Sequence, residues 1–385
     1  MSRSTNPVNA RALACLFPHY CKDSGIGHIF HSLGVHWTSD RLRATMIVPN
    51  AAADLRGPAL VEAVPDWLKW MVYRTPGGAR YAVERHLLQN LRLWDAVYCF
   101  PDISLRTLRR IKQRGRVIFL EMLNCIPSKT RRILEPEYHR LAAQPANPFD
   151  RWSIEPPRAA AELADFIFCP SPEVAQSLVE TGVPAGKLIA ATFGWSPARF
   201  PAAVARREAV EEVTVLFAGD ICVRKGAHLL LRMWQGAGIK GRLILCGTIE
   251  PAIAKAVPQL LRQPGVVHVP YQSDIGPMYT AADIFAFPSL EEGGPLVTYE
   301  AMAHGLPVLA SPMAAGAVVR NAVDGLVIPP HDTEAWIAAL RMLAGSADLR
   351  ARYGTAGKIR ADEFTWKKVA ARRADTILQR LTLAP

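Results

Sequence analysis

One stretch constrains this chain more than any other: Asp283-Ile-Phe-Ala-Phe-Pro-Ser-Leu-Glu-Glu-Gly-Gly-Pro-Leu-Val-Thr-Tyr-Glu-Ala-Met-Ala-His-Gly-Leu-Pro-Val-Leu-Ala310. It reads as strand, glycine turn, short helix, glycine stop and a second strand. Ala282 to Pro288 is a short apolar run bounded by turn formers, the signature of a buried parallel strand. The fixed φ of Pro295 suits the first turn of a helix, and His304-Gly305 ends it. Leu306 to Ala310 is the next strand. A strand–helix–strand unit of this kind predicts an α/β fold built on parallel sheets.

The charges within the stretch carry the chemistry. Glu292 falls at the carboxyl end of a strand, where open α/β sheets bind their ligands. Gly293 and Gly294 admit an anionic or polyhydroxyl ligand to the backbone from Gly293 to Leu296, where every residue but Pro295 offers an N–H, and the helix dipole favours a pyrophosphate there. Glu300 lies about a turn and a half further on, and its carboxylate can accept two hydrogen bonds from the paired hydroxyls of a ribose. Either glutamate alone is most simply a solvated side chain. The pair, eight residues apart around Gly-Gly-Pro, outlines a site for a nucleotide sugar.

The same run resembles the Glu-x7-Glu motif of retaining glycosyltransferases of the GT-B fold, the glycogen-synthase and phosphatidylinositol-mannosyltransferase-like group. The resemblance implies two Rossmann-like doubly wound domains facing across a cleft. It makes residues 1–200 the acceptor-side domain, 201–365 the donor-side domain and 366–385 a helix that crosses back. In that group the first glutamate, here Glu292, contacts the donor sugar and the second, here Glu300, the ribose.

Other segments extend the reading. Val213 to Gly219 is an apolar strand, and Lys225 follows just before a helix, placed as a point charge for a phosphate. The resembled group carries Gly-Arg-Leu…Lys-Gly here. Lys225 matches, Asp220 stands at the arginine position, and Arg224 is the candidate to supply the missing charge. Tyr271, at a strand end, marks the expected neighbourhood of the nucleotide base. Gly25 and Gly27 form either an ordinary tight turn or a ligand loop. Ser24-Gly-Ile-Gly-His28 resembles the Gly-Ile-Gly-Arg loop of the group, with His28 at the basic position. Near the end of the strand Val117 to Asn124 the group often carries a histidine; Glu121 and Asn124 stand there instead. Lys129, Arg131 and Arg132 are either anion-binding groups for an acceptor or solvated helix ends. No Asp-x-Asp occurs, and Asp332 reads as a helix N-cap, so metal-independent chemistry without a cofactor is expected, with a nucleotide diphosphate sugar as substrate.

Composition bounds the remaining possibilities. The chain has 385 residues, 50% of them hydrophobic and 21% charged, and seven scattered cysteines without Cys-x-x-Cys spacing. A disulfide framework and a zinc site are both disfavoured, and a cytoplasmic setting follows. No apolar run approaches the ~20 residues of a membrane span. The net charge of +11 calls for an acidic partner. Without a nucleic-acid-binding motif, nucleic acid ranks last. An anionic substrate and an anionic membrane face, with peripheral attachment to it, rank above. Trp67, Trp70, Met71 and Arg74 have helical spacing, which predicts a helix packing its aromatics into the core; an interfacial helix is the second reading. Six cations between Arg106 and Arg116, with no acid among them, add to a membrane-facing expectation. Residues 145–157 read as a long loop and 201–212 as the interdomain linker.

These observations lead to the expectation of sugar transfer from a nucleotide diphosphate to a hydroxyl of a glycan or lipid-linked acceptor, in polysaccharide, lipopolysaccharide or glycolipid assembly. A nucleotide-sugar epimerase of the same fold and a non-catalytic nucleotide-sugar-binding protein are the alternatives.

Overall fold

The computed structural model describes residues 10–145, 155–200 and 212–383. The predicted loop at 145–157 and linker at 201–212 fall largely outside them. Within the described residues the strands form two sheets, parallel throughout. The first contains β1 (Arg11–Leu16), β2 (Leu42–Val48), β3 (Leu60–Glu62), β4 (Ala96–Cys99), β5 (Val117–Glu121), β6 (Phe166–Cys169) and β7 (Leu188–Ala190), in the order β3-β2-β1-β4-β5-β6-β7. The second contains β8 (Val213–Ala218), β9 (Gly241–Cys246), β10 (Val266–Val269), β11 (Ile284–Phe287), β12 (Val308–Ala310) and β13 (Gly325–Val327), in the order β10-β9-β8-β11-β12-β13. Strands β4, β8, β11 and β12 are buried along their whole length, as strands covered by helices on both faces must be. The α/β, two-domain expectation holds.

Both sheets change winding direction at one place: between β1 and β4 in the first, and between β8 and β11 in the second. Loops leaving the carboxyl ends of such a strand pair diverge and leave a crevice. The loops after β1, β8 and β11 carry Gly25, Lys225 and Glu292, so the topology alone collects these three segments at switch points.

The long helix Trp366–Leu383 is anchored in the first domain. Its Arg373 is 2% exposed and donates to Glu121 at 2.5 and 3.3 Å and to the carbonyls of Ala191 and Thr192 at 2.8 and 2.9 Å. The Tyr98 hydroxyl donates to the same carboxylate at 2.6 Å, and the guanidinium lies 5.1 Å from the Phe168 ring centroid. Glu121 is therefore a structural strut, with both oxygens engaged. Asn124, three residues on, is exposed at the domain boundary.

One expectation is overturned. Trp67, Trp70 and Met71 do not pack into the core, because no residue of the helix Lys69–Arg74 or of the turn before it is buried. The helix is a six-residue piece following β3, the outermost strand of its sheet, and none of the described elements buries it.

Candidate active site between the domains

Two loops of the second domain lock together first. Gly226 has φ +70°, and a Cβ there would sit 2.0 Å from the Pro288 carbonyl oxygen, so only glycine lets the loop after β8 close on the loop after β11. The Arg224 carbonyl accepts from the backbone N–H groups of Leu290 and Glu291 at 2.9 and 3.3 Å, and from the Ser289 hydroxyl at 3.2 Å. This lock places Arg224 and Lys225 directly beside the two glutamates.

Glu292 is buried, with Oε1 3.2 Å from Arg224 Nη1 and 3.5 Å from Lys225 Nζ. These are ion contacts without aligned hydrogen bonds, and Oε1 is a buried acceptor lacking a hydrogen-bond donor among the described residues. Burial pushes this carboxyl up, yet Arg224 and then Lys225 outweigh it and hold it below the ordinary carboxylate range. Lys225 Nζ also lies 5.5 Å over the Phe287 ring. The result is an ionised carboxylate and two cations at the mouth of the crevice.

Glu291 links this cluster to the first domain. Its Oε1 accepts from the Cys125 N–H at 3.2 Å and the Thr130 hydroxyl at 3.3 Å, while Oε2 lies 3.4 Å from Arg224 Nη1. Arg224 Nη1 donates to the Glu291 carbonyl at 3.0 Å as well. Burial pushes the Glu291 carboxyl up, against the pull of Arg224. Gly293 is pressed even closer across the boundary: a Cβ there would fall 1.6 Å from the Leu123 carbonyl oxygen. Gly294 faces Phe193 and Pro170 of the first domain. The Gly-Gly pair thus has a packing reason beside any role in ligand access. Pro295 is the N-cap of the helix Leu296–Ala303 rather than its first residue.

Glu300 is buried on that helix. Oε2 accepts from the Tyr279 hydroxyl at 2.9 Å, and Oε1 is 3.8 Å from Arg199 of the first domain. Burial raises this carboxyl, with Tyr279 and Arg199 opposing. Arg199 also feels Asp23, in the loop after β1, and His28, on the helix Gly25–Gly34 that follows it. A Cβ on Gly25 would meet open space, whereas one on Gly27 would strike the Lys22 carbonyl at 2.6 Å, so Gly27 is a packing residue, while Gly25 is called for by its φ of +55°. His28 is buried: the Trp366 indole N–H donates to its Nε2 at 3.2 Å, leaving the proton on Nδ1 to be donated to Asp23 at 2.5 Å. It ties the loop to the crossing helix. Tyr271 is 68% exposed just past β10.

Two further groups of cations are engaged by carboxylates. Lys129 and Arg132 share Glu180 at 3.3 and 2.8 Å, and Arg131 pairs with Glu135 at 3.0 Å. Glu291, Arg199 and Tyr279 escaped the sequence reading, because their partners lie in distant segments and nothing local marks them.

Residues 212–346 match the family described as "Glycosyl transferases group 1". A D-inositol 3-phosphate glycosyltransferase of Xylanimonas cellulosilytica is 31% identical over 179 residues, 44% of this chain and 43% of that protein. The chain thus matches under half the length of this curated relative. Among solved structures, sucrose-phosphate synthase of Thermosynechococcus elongatus superposes with a TM-score of 0.70 at 18% identity, covering 97% of this chain and 100% of that one. Anabaena HepE in complex with UDP and glucose superposes with a TM-score of 0.66 at 15% identity, covering 95% and 99%. These likenesses establish the shared architecture over the whole described chain. The carboxyl-terminal domain thus carries the match to the glycosyl transferases group 1 family, and the chain as a whole has the GT-B fold.

Proposed function

We propose that this protein is a retaining glycosyltransferase that moves a sugar from a nucleotide diphosphate to an acceptor hydroxyl. The observation that carries the reading is Glu292, buried and ionised beside Arg224 and Lys225 where the β8 and β11 loops meet the first domain. Two cations next to a helix N-terminus suit a diphosphate leaving group, whose charge grows as the bond to the anomeric carbon breaks. A diphosphate settling on Arg224 and Lys225 takes over the charge that Glu292 now balances. The carboxylate is then free to orient sugar hydroxyls and to offset positive charge developing on the ring. Glu300, with Tyr279 behind it, holds the ribose. We assign retention to a same-face route, in which the acceptor hydroxyl passes its proton to the departing phosphate oxygen as its own oxygen bonds to the anomeric carbon. That route asks for positioning rather than for a protein nucleophile. The resemblance to HepE, whose structure holds UDP and glucose, supports a nucleotide-sugar donor.

The test is a thermal-shift panel of UDP-, GDP- and ADP-sugars, followed by donor turnover with the matching sugar. One donor at about 100 times its Kd should stabilise the protein by about 2.7 kcal/mol. Glu292→Gln should still bind that donor but lose turnover by a factor of about 100 or more. Unchanged turnover in Glu292→Gln would remove the assigned role, and free epimerised nucleotide sugar without an acceptor would point to an epimerase.

A further inference from the structure

The rim of the first domain carries an aromatic surface that no described part of the fold covers. Trp67 is 73% exposed and Trp70 65%, and Met71 beside them is also exposed. Their spacing of three and four residues puts them on one side of the short helical segment Asp66 to Arg74. Tyr73 and Tyr81 continue the exposed surface onto the next helix, Gly78–Gln89. Side chains this large are rarely left in water as a cluster without an interaction to make.

The neighbouring surface is cationic. Helix Leu105–Gln113 is fastened beside helix Gly78–Gln89 by Glu84, which accepts from the Ser104 N–H at 2.6 Å, the Ser104 hydroxyl at 2.7 Å and the Thr107 hydroxyl at 2.9 Å. Outward from this pair and the turn after it stand Arg85, Arg92, Arg106, Arg109 and Arg110, all exposed and without a carboxylate partner among the described residues. The acids nearby are already engaged: Asp66 by Lys69 at 2.6 Å and Asp102 by His19 at 2.9 Å. The aromatic segment follows the carboxyl end of β3, and in a parallel sheet that is the end bearing the cleft loops.

We propose that this face docks on an anionic lipid surface, with Trp67, Trp70 and Met71 entering the headgroup boundary and the unpaired arginines resting on lipid phosphates. Indole and thioether groups beside unpartnered guanidinium groups match that boundary, where one end of each ring is apolar and the other wet. A sugar-binding platform would need free carboxylates or amides around the rings to take up hydroxyls; here the carboxylate beside them, Asp66, is paired with Lys69 at 2.6 Å, and the other flanking side chains are Leu68, Met71 and Val72. The docking is independent of the proposed chemistry. Taken with that reading, it implies an acceptor delivered from the lipid side.

The experiment is sedimentation of the full chain with phosphatidylcholine vesicles and with mixed phosphatidylcholine–phosphatidylglycerol vesicles. Binding is expected to the mixed vesicles, to weaken as salt screens the arginines, and to be at least about tenfold poorer on neutral vesicles. A Trp67→Ser/Trp70→Ser/Met71→Ser variant and an Arg106→Glu/Arg109→Glu/Arg110→Glu variant should each lose about tenfold or more in binding. Both should keep the wild-type melting temperature, since every altered side chain is exposed. Quenching of wild-type tryptophan emission by brominated lipid gives a second readout that needs no variant. Equal binding to both vesicles, unchanged binding in both variants, or tryptophan quenching by soluble oligosaccharide in place of lipid would overturn the proposal. Donor binding and turnover of a short soluble acceptor should be unaffected in both variants, which separates failure here from failure of the transferase reading.

Discussion

At the scale of single residues, the crevice depends on side chains that are absent as much as on those present. Gly293 touches the first domain through the Leu123 carbonyl oxygen, a backbone atom that cannot swing away; an added Cβ would stand 1.6 Å from it. A Cβ added at Gly294 would stand 3.0 Å from the Phe193 ring and 3.2 Å from the Pro170 side chain, which have some room to adjust. Gly293→Ala is therefore expected to cost about 1–3 kcal/mol, the range of overpacked sites, and Gly294→Ala clearly less. Urea denaturation of the two variants checks this, and the reverse order would contradict the packing described. The sequence marked both glycines and read ligand access in them, because spacing along the chain shows a turn but not what presses on it from another domain. Glu292 and Lys225 were legible, since each has a local pattern of strand end, glycine and helix start. Glu291 has no such pattern, and its role exists only through Cys125, Thr130 and Arg224.

At the scale of elements, the parallel strands were readable as short apolar runs between turn formers, and the α/β class followed from their alternation with helices, while the doubly wound arrangement came from the family resemblance. The segment Asp66 to Arg74 was misread because helical periodicity shows which residues share a face and not whether anything covers that face. The crossing helix shows the converse. Its basic character suggests a solvated helix, yet Arg373 is buried and bound to Glu121. Arg373→Met leaves that carboxylate uncompensated in the core and should cost about 3–5 kcal/mol. Arg373→Met combined with Glu121→Leu should recover much of the loss, because it removes the stranded charge as well. The comparison of single and double variants in urea decides it. A single variant within about 0.5 kcal/mol of wild type, the range of ordinary surface substitutions, would show that the pair does not anchor the helix.

At the scale of the whole molecule, a polar cluster holds the two domains together away from the glutamates. Glu137, buried on the first-domain helix Pro127–Arg140, lies 3.3 Å from His228 Nε2 and 3.3 Å from His331 Nε2 of the second domain, and it also pairs with Arg140. The next residue, Tyr138, donates to Glu250 at 2.7 Å, and the other oxygen of Glu250 accepts from the Val223 N–H at 3.0 Å, in the loop that carries Lys225. His228 is buried, with no partner for Nδ1 among the described residues, so its Nε2–H donates to Glu137 and the ring is neutral. Burial, with Arg232 and His331 adding to it, pushes its pKa down from 6.5 to about 3. In that window the unfolded chain binds the proton and the folded one does not, so stability falls as pH drops from 6.5 toward 3. One proton contributes at most about 1.4 kcal/mol per pH unit. His228→Gln keeps a donor for Glu137 and removes the titration. Its stability should therefore fall less steeply than that of wild type as the medium is acidified through this window, so that the gap between the two proteins narrows. Urea midpoints measured at several pH values test this directly. Parallel curves for the two proteins would mean that His228 carries no acid-sensitive share of the contact between the domains.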